Sequence, residues 1–129
     1  MCFYLVNRLT SVLDIEYIDI GCWADNPSFH SIPTLEGRDE ALLDIYKLRV
    51  DAVKKCAAAA QLRGYKVFAL QDGGWCASSD NAATTYNKYG PSNQCKNDGK
   101  GGISANRVYQ LINTDVADPS EDEGKWQVI

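Results

Sequence analysis

From Leu13 to Ile20 apolar and acidic residues alternate as Leu-Asp-Ile-Glu-Tyr-Ile-Asp-Ile, and a period of two sets one side of a strand on a core and the other in water. The pattern then dissolves. Between Gly21 and Arg38 the runs Asp25-Asn26-Pro27-Ser28 and Ser31-Ile32-Pro33-Thr34 favour turns, so a long loop is expected. Val53, Cys56, Ala57 and Ala60 next recur at steps of three and four, the spacing of a helix face. Asp51 is placed to cap its start and Gly64 to end it in the left-handed conformation. An earlier helical turn through Ala41-Leu42-Leu43 and Tyr46 is open, as is its continuity with the main helix. The alanines Ala57 to Ala60 keep the helix slim enough to lie close against a sheet. Tyr65 to Leu70 is a short β-prone run stopped by Asp72-Gly73-Gly74, and Arg107 to Ile112 reads as the last strand. Ser78 to Gly102 is polar and glycine-rich, with one helical turn near Ala82 to Tyr86.

A chain of 129 residues with ordinary apolar content buries one core, so a single domain over 1–114 is expected, followed by an acidic tail over 115–129. That tail is poor in apolar residues until Trp126, and it is read as loosely held, with Trp126, Val128 and Ile129 able to dock its end. The formal net charge is −4 and the basic residues are scattered, which leaves no footprint for a phosphate backbone. Nucleic acid is excluded as a partner on that ground. Apolar runs such as Phe3 to Val6 and Val67 to Leu70 fall far short of the roughly 20 residues that cross a bilayer, so no membrane insertion is expected. Asn7 and Arg8 cut the first run too short for a signal peptide, which reads as a mature form or a chain lacking its leader.

Five cysteines stand at positions 2, 22, 56, 76 and 95. With no CxxC pair and a single histidine, His30, a structural zinc site has no spacing to use, and disulfides are the better reading. Four cysteines lie in the central body. Cys2 is left over, which opens a disulfide-linked homodimer.

Four segments share an order: Tyr17-Ile18-Asp19-Ile20-Gly21-Cys22-Trp23; Lys55-Cys56 on the helix ending in Gly64-Tyr65; Gly73-Gly74-Trp75-Cys76; and Cys95 followed by Gly101-Gly102 and Asn106-Arg107-Val108-Tyr109. Over residues 17–112 this resembles the WSC domain, a cysteine-rich extracellular module. That family has a strand ending in Gly-Cys-aromatic, a helix bearing Lys-Cys, a Gly-x-Cys-Trp-Cys turn and a closing Asn-Arg strand with a tyrosine. WSC domains usually carry twice as many cysteines. Ala60 and Gly74 stand where two further ones would be, as if one whole bridge were missing, and the insert between Cys76 and Cys95 is long. The chain therefore resembles a divergent, four-cysteine, invertebrate-type relative.

The resemblance implies an α+β fold of WSC/PAN-like type: a small antiparallel sheet with one main helix packed across it, stapled by disulfides and used outside the cell. Four cysteines allow three pairings. Cys56 is on the buried helix face above the strand from Val67, and Cys76, past the turn, returns beneath it, which pairs Cys56 with Cys76. In WSC-like sheets the first and last strands are neighbours, which implies Cys22 with Cys95. If loop length governs, Cys22→Ser should cost more than Cys56→Ser, with cavity terms at the helix acting the other way.

The resemblance further implies a secreted, lectin-like module that binds glycans or glycoproteins. Sugars are held by aromatic faces together with amides, carboxylates and cations. The segment Gln71, Asp72, Trp75 and the loop bearing Tyr86, Lys88, Tyr89, Asn93 and Asp98 hold both types, and these are the candidate ligand-binding residues. Trp75 is equally readable as core, Tyr86 and Tyr89 as a packed pair, and the aspartates as turn formers. Calcium held by Asp72, Asp80 and Asp98 matches no dedicated ion loop, and no cofactor or metal is expected. Catalysis is not expected either. His30 sits in a Pro/Ser loop and reads as a surface or packed residue, neighbouring carboxylates such as Asp39 and Glu40 read as solvated charges, and Cys2 has no activating base beside it. The rival reading is an extracellular-matrix or cell-surface module that recognises protein without binding sugar.

Overall fold

The computed structural model describes residues 15–112. Within them lies one sheet flanked by a helix and by loops. Strand β1 (Glu16–Ala24) is followed by 3-10 turns at Glu40–Leu42 and Tyr46–Leu48, helix α1 (Ala52–Leu62), strands β2 (Val67–Gln71) and β3 (Trp75–Ser78), the short helix α2 (Ala82–Thr85) and strand β4 (Ala105–Ile112). The strand order is β1-β4-β2-β3, and every pairing is antiparallel. The first and last strands are thus neighbours, as the resemblance implied.

The first strand outruns its expected end. The residue pattern places the start of the loop at Gly21 and the resemblance carries the strand through Gly21-Cys22-Trp23, whereas β1 continues to Ala24, which pairs with Ala105. The ladder skips Ile20 in a bulge that Gly21 makes possible: the Gly21 φ of 114° is a conformation open to glycine, its N–H donates to Asp19 Oδ1 at 2.8 Å, and pairing resumes with Gly21 opposite Val108. Residues 13 and 14 of that predicted strand, the acidic tail and Cys2 lie outside the described residues.

Helix α1 has the expected face and end. Cys56, Ala57 and Ala60 are buried, and Val53 packs against the same cluster. At Gly64, with φ 76°, the Tyr65 N–H reaches Ala60 O at 3.0 Å and the Gly64 N–H reaches Gln61 O at 3.0 Å, the bonding of a Schellman motif. Its start departs from expectation. Asp51 stands at the cap position, but in a left-handed conformation (φ 54°), and its side chain makes no cap bond. The turns at Glu40–Leu42 and Tyr46–Leu48 are separate from α1, because Arg49 is extended and Asp51 reverses the chain.

Strand β3 has no counterpart among the expected elements, since Trp-Cys-Ala-Ser is too short to carry a periodic signal. It forms a hairpin with β2 around Asp72 and Gly73, both at positive φ, with Gln71 opposite Trp75. The predicted stop at Asp72-Gly73-Gly74 is this turn.

Alternation along the strands separates two cores. On the helix side Phe68, Leu70, Cys76, Tyr109 and Leu111 meet Cys56, Ala57 and Ala60 of α1, with Leu35 and Leu42 alongside. Phe68 stacks on Tyr109 at 5.2 Å, and Tyr17 stands edge-on to both rings. On the other side Val67, Ala69, Ala77 and Val108 are covered by Ile32 and Ala82, with Ile20, Trp23, Trp75 and Tyr86 at the margin. Cys22 is bonded to Cys95 and Cys56 to Cys76, with Cα separations of 6.0 and 5.5 Å. Both pairings are those expected.

One buried ion group has no precursor in the sequence reading. The Arg49 side chain is fully buried and donates to both carboxylate oxygens of Glu36, to Asp44 Oδ1 and to Gly74 O at 2.6 to 2.8 Å. Glu36 Oε2 in turn accepts the Cys76 N–H. The segment from Glu36 to Arg49 is thereby pinned to the hairpin turn and to the disulfide, since a desolvated arginine is stable only with its donors filled.

Candidate functional site

The loop that leaves β1 at Asp25 crosses the sheet on the side away from α1. Its course is set by the Asp25 N–H on Ser104 O and by the Asn26 turn, where Asn26 Oδ1 accepts the Ser28 N–H at 2.8 Å. Asp25 turns its carboxylate inward, leaving 1% of the side chain exposed, onto the polar residues of β2 and β4. It accepts the Ser31 N–H at 2.8 Å, the Gln71 amide at 2.8 Å and His30 Nδ1 at 2.6 Å. Gln71 also donates to Asn106 Oδ1 at 2.8 Å, its cross-strand partner, and the Asn106 amide reaches Ser31 Oγ. Gln71, Asn106, Ser31 and Asp25 are all buried.

Burial by itself would raise the Asp25 carboxyl, but the hydrogen bonds from Ser31, His30, Gln71 and Asn26 outweigh it and hold the group below the ordinary carboxylate range. An ionised carboxylate only accepts, so His30 Nδ1 is the donor of their bond. The imidazole is a third exposed and lies 4.8 Å from the Trp75 ring at a 39° tilt.

The loop from Tyr86 to Asn93 lies alongside. Its backbone is tied to β1 by the Ala24 N–H on Gly90 O and the Ser92 N–H on Cys22 O, and by a bridge between Trp23 and Pro91. Tyr86 meets Trp23 edge-on at 5.2 Å. The Tyr89 hydroxyl donates to Phe29 O at 2.5 Å, and Lys88 Nζ stands 5.2 Å from the Tyr89 ring centre. Phe29 itself is 72% exposed. Ala24, Pro91, Ser92 and Asn93 line a shallow open groove at the edge of this surface.

The residues singled out from sequence therefore separate into three groups. Trp75 and Tyr89 meet the loop from Asp25 to His30, Lys88 stands beside Tyr89, and Tyr86 and Asn93 lie next to it against Trp23 and Ala24 at the end of β1. Gln71 lies beneath it, and its amide is spent on Asp25 and Asn106. Asp72 and Asp98 sit elsewhere. Asp72 is in the hairpin turn with Lys47 at 3.5 Å, and Asp98 caps the Lys100 N–H, whose carbonyl accepts the Gly73 N–H. No group of three His, Cys, Asp or Glu side chains able to hold a metal occurs among the described residues, so Asp72, Asp80 and Asp98 form no such cluster.

Sequence reasoning missed Asp25, Phe29 and His30. His30 is not merely packed: it is the outward member of a buried network. The available signal was a lone histidine following an Asp-Asn-Pro turn directly after a strand, and it does not announce partners 46 and 35 residues apart such as Gln71 with Asp25 and with Asn106. Among the described residues no helix is long and apolar enough to cross a membrane. No family model, curated protein or solved structure matches the chain.

Proposed function

We propose that the chain is a secreted carbohydrate-binding module whose sugar site is the surface made by residues 25–30, Trp75 and the loop 86–93. The observation that carries the reading is the company of exposed or half-exposed rings, Phe29, His30, Trp75 and Tyr89, with polar groups whose positions are set from below. Rings of this kind receive the C–H face of a sugar while fixed polar atoms sort its hydroxyls, and pre-set side chains lower the entropy cost of binding. Secretion is supported by two disulfides in so small a body and by the resemblance to WSC domains. The test is a glycan array with the oxidised chain. Binding that is lost in Phe29→Ala and Tyr89→Ala, both with an unchanged melting temperature, is the expected result. A blank array at high protein concentration overturns the reading.

One observation favours the rival of a protein-recognition module. Leu43, Ile45, Leu48 and Val50 are each two-thirds or more exposed, on a segment that buried Arg49 keeps in place. Aliphatic groups held in water at such density mark contact surfaces. A blank array together with a specific protein partner, lost on Leu48→Asp, would favour that reading.

A further inference from the structure

A buried carboxylate is an expensive way to close one side of a small sheet, since well-packed apolar residues of similar volume commonly do so at equal or better stability. The network of Asp25, Ser31, Gln71 and Asn106 is nonetheless complete, and its one outlet to the surface is His30. Three constraints meet on that ring. The Asp25 bond holds Nδ1 at 2.6 Å, Trp75 lies against one face, and Nε2 has no hydrogen-bond partner among the described residues. Which imidazole nitrogen carries the proton is set by the bond the other nitrogen makes. With Asp25 ionised and accepting, a neutral His30 keeps its proton on Nδ1, and Nε2 is left as a fixed acceptor.

We infer that His30 Nε2 is the polar anchor of the sugar site, accepting a hydrogen bond from a ligand hydroxyl, and that Asp25 is its positioning residue. This rests on the carbohydrate-binding reading and names the atom that gives it orientation. The ligand class is a sugar with a free hydroxyl beside an apolar ring face, the hydroxyl donating to Nε2 and the face resting on the neighbouring rings. With His30 neutral, a carboxylate in place of that hydroxyl is disfavoured, because it would set two acceptors against each other and lie near the buried negative charge of Asp25.

The experiment has a part that needs no ligand. Nitrogen NMR of the imidazole in the oxidised full chain, recorded for the neutral form by raising the pH until the nitrogen shifts no longer change, should show the proton on Nδ1. In Asp25→Asn the side-chain amide can donate to Nδ1 and move the proton to Nε2, a change that a merely structural role for Asp25 would not produce. A proton on Nε2 in the unmodified chain overturns the inference whatever sugar binds. The second part uses a sugar that the array identifies. His30→Asn retains a donor near the Nδ1 position and deletes Nε2, whereas His30→Gln retains a polar group near Nε2. Loss of one hydrogen bond predicts about a tenfold weaker Kd for His30→Asn at an unchanged melting temperature, and a smaller loss for His30→Gln. Unchanged affinity in His30→Asn while Phe29→Ala and Tyr89→Ala abolish binding overturns the inference and leaves the carbohydrate reading standing. A blank array removes both.

Discussion

On the helix side of the sheet Phe68, Leu70, Cys56 and Cys76 are wholly buried among apolar neighbours, with a disulfide through their middle. On the loop side the central contact is a carboxylate among amides, and its apolar residues are mostly small: Ala69, Ala77, Ala82, Val67 and Val108. The same strands serve both, because alternation sends Phe68 and Leu70 one way and Val67, Ala69 and Gln71 the other. The helix side draws its stability from non-directional burial, about 1.5–3 kcal/mol for each large side chain. The loop side gains less from each net hydrogen bond, about 0.5–1.5 kcal/mol, but each bond dictates an orientation. Stability is concentrated on one side and geometry on the other.

The contrast can be broken at several points. Reduction of both bridges should have the largest effect. The chain-entropy account gives about 4 kcal/mol for a loop the size of the one closed by Cys22 and Cys95, and about 3 for the shorter one closed by Cys56 and Cys76. Their sum rivals the whole stability of an ordinary domain, so denaturant melts with reducing agent should show an unfolded chain at room temperature. Phe68→Ala comes next, at about 3–5 kcal/mol, because it empties the site between Tyr17 and Tyr109. On the loop side Asp25→Ala should cost about 2 kcal/mol, the penalty of stranding the Gln71 amide and the Ser31 N–H. If Asp25→Ala proved costlier than Phe68→Ala, the assignment of stability to the helix side would be wrong.

Acid titration sharpens the same comparison with a smaller effect. The Asp25 carboxyl is held below its ordinary value of 3.8, so its contribution is fully present above that range and is lost as the pH falls through the lower folded value. Asp39, which accepts bonds from Ala41 and Arg63 strong enough to outweigh its burial, behaves in the same way. Stability measured below about pH 4 should therefore fall less steeply in Asp25→Asn than in the unmodified chain, although that variant starts lower. An identical acid slope in the two proteins would contradict an ionised, hydrogen-bonded Asp25.

The helix side was largely legible in the sequence. Its signals are local: the three-and-four spacing of Cys56, Ala57 and Ala60, and the stop at Gly64. The two bridges followed from the order of the elements, with the resemblance to WSC sheets placing the first and last strands together. The loop side was not legible to the same degree. Gly21 has the look of a strand end, yet β4 carries the pairing on past it, with Ile20 bulged out and Gly21 opposite Val108. Gln71 looked like a surface group because an amide after Val-Phe-Ala-Leu carries no sign that Asn106 will lie opposite it. Arg49, one of several scattered cations, gave no hint that Glu36, Asp44 and the Gly74 carbonyl would converge on it. Contacts of this kind depend on the whole topology, whereas periodicity reports only the nearest turns.

The most direct measurement for the division between the two sides is chemical-shift mapping. The isotope-labelled, oxidised chain is titrated with the sugar that binds best on an array, while the amides are followed residue by residue. The account predicts perturbations gathered at residues 25–31, at Trp75 and across the loop 86–93, with α1 and its contacts on Phe68, Leu70 and Leu111 unmoved. Perturbations centred on α1 or on the aliphatic segment 43–50 would contradict it.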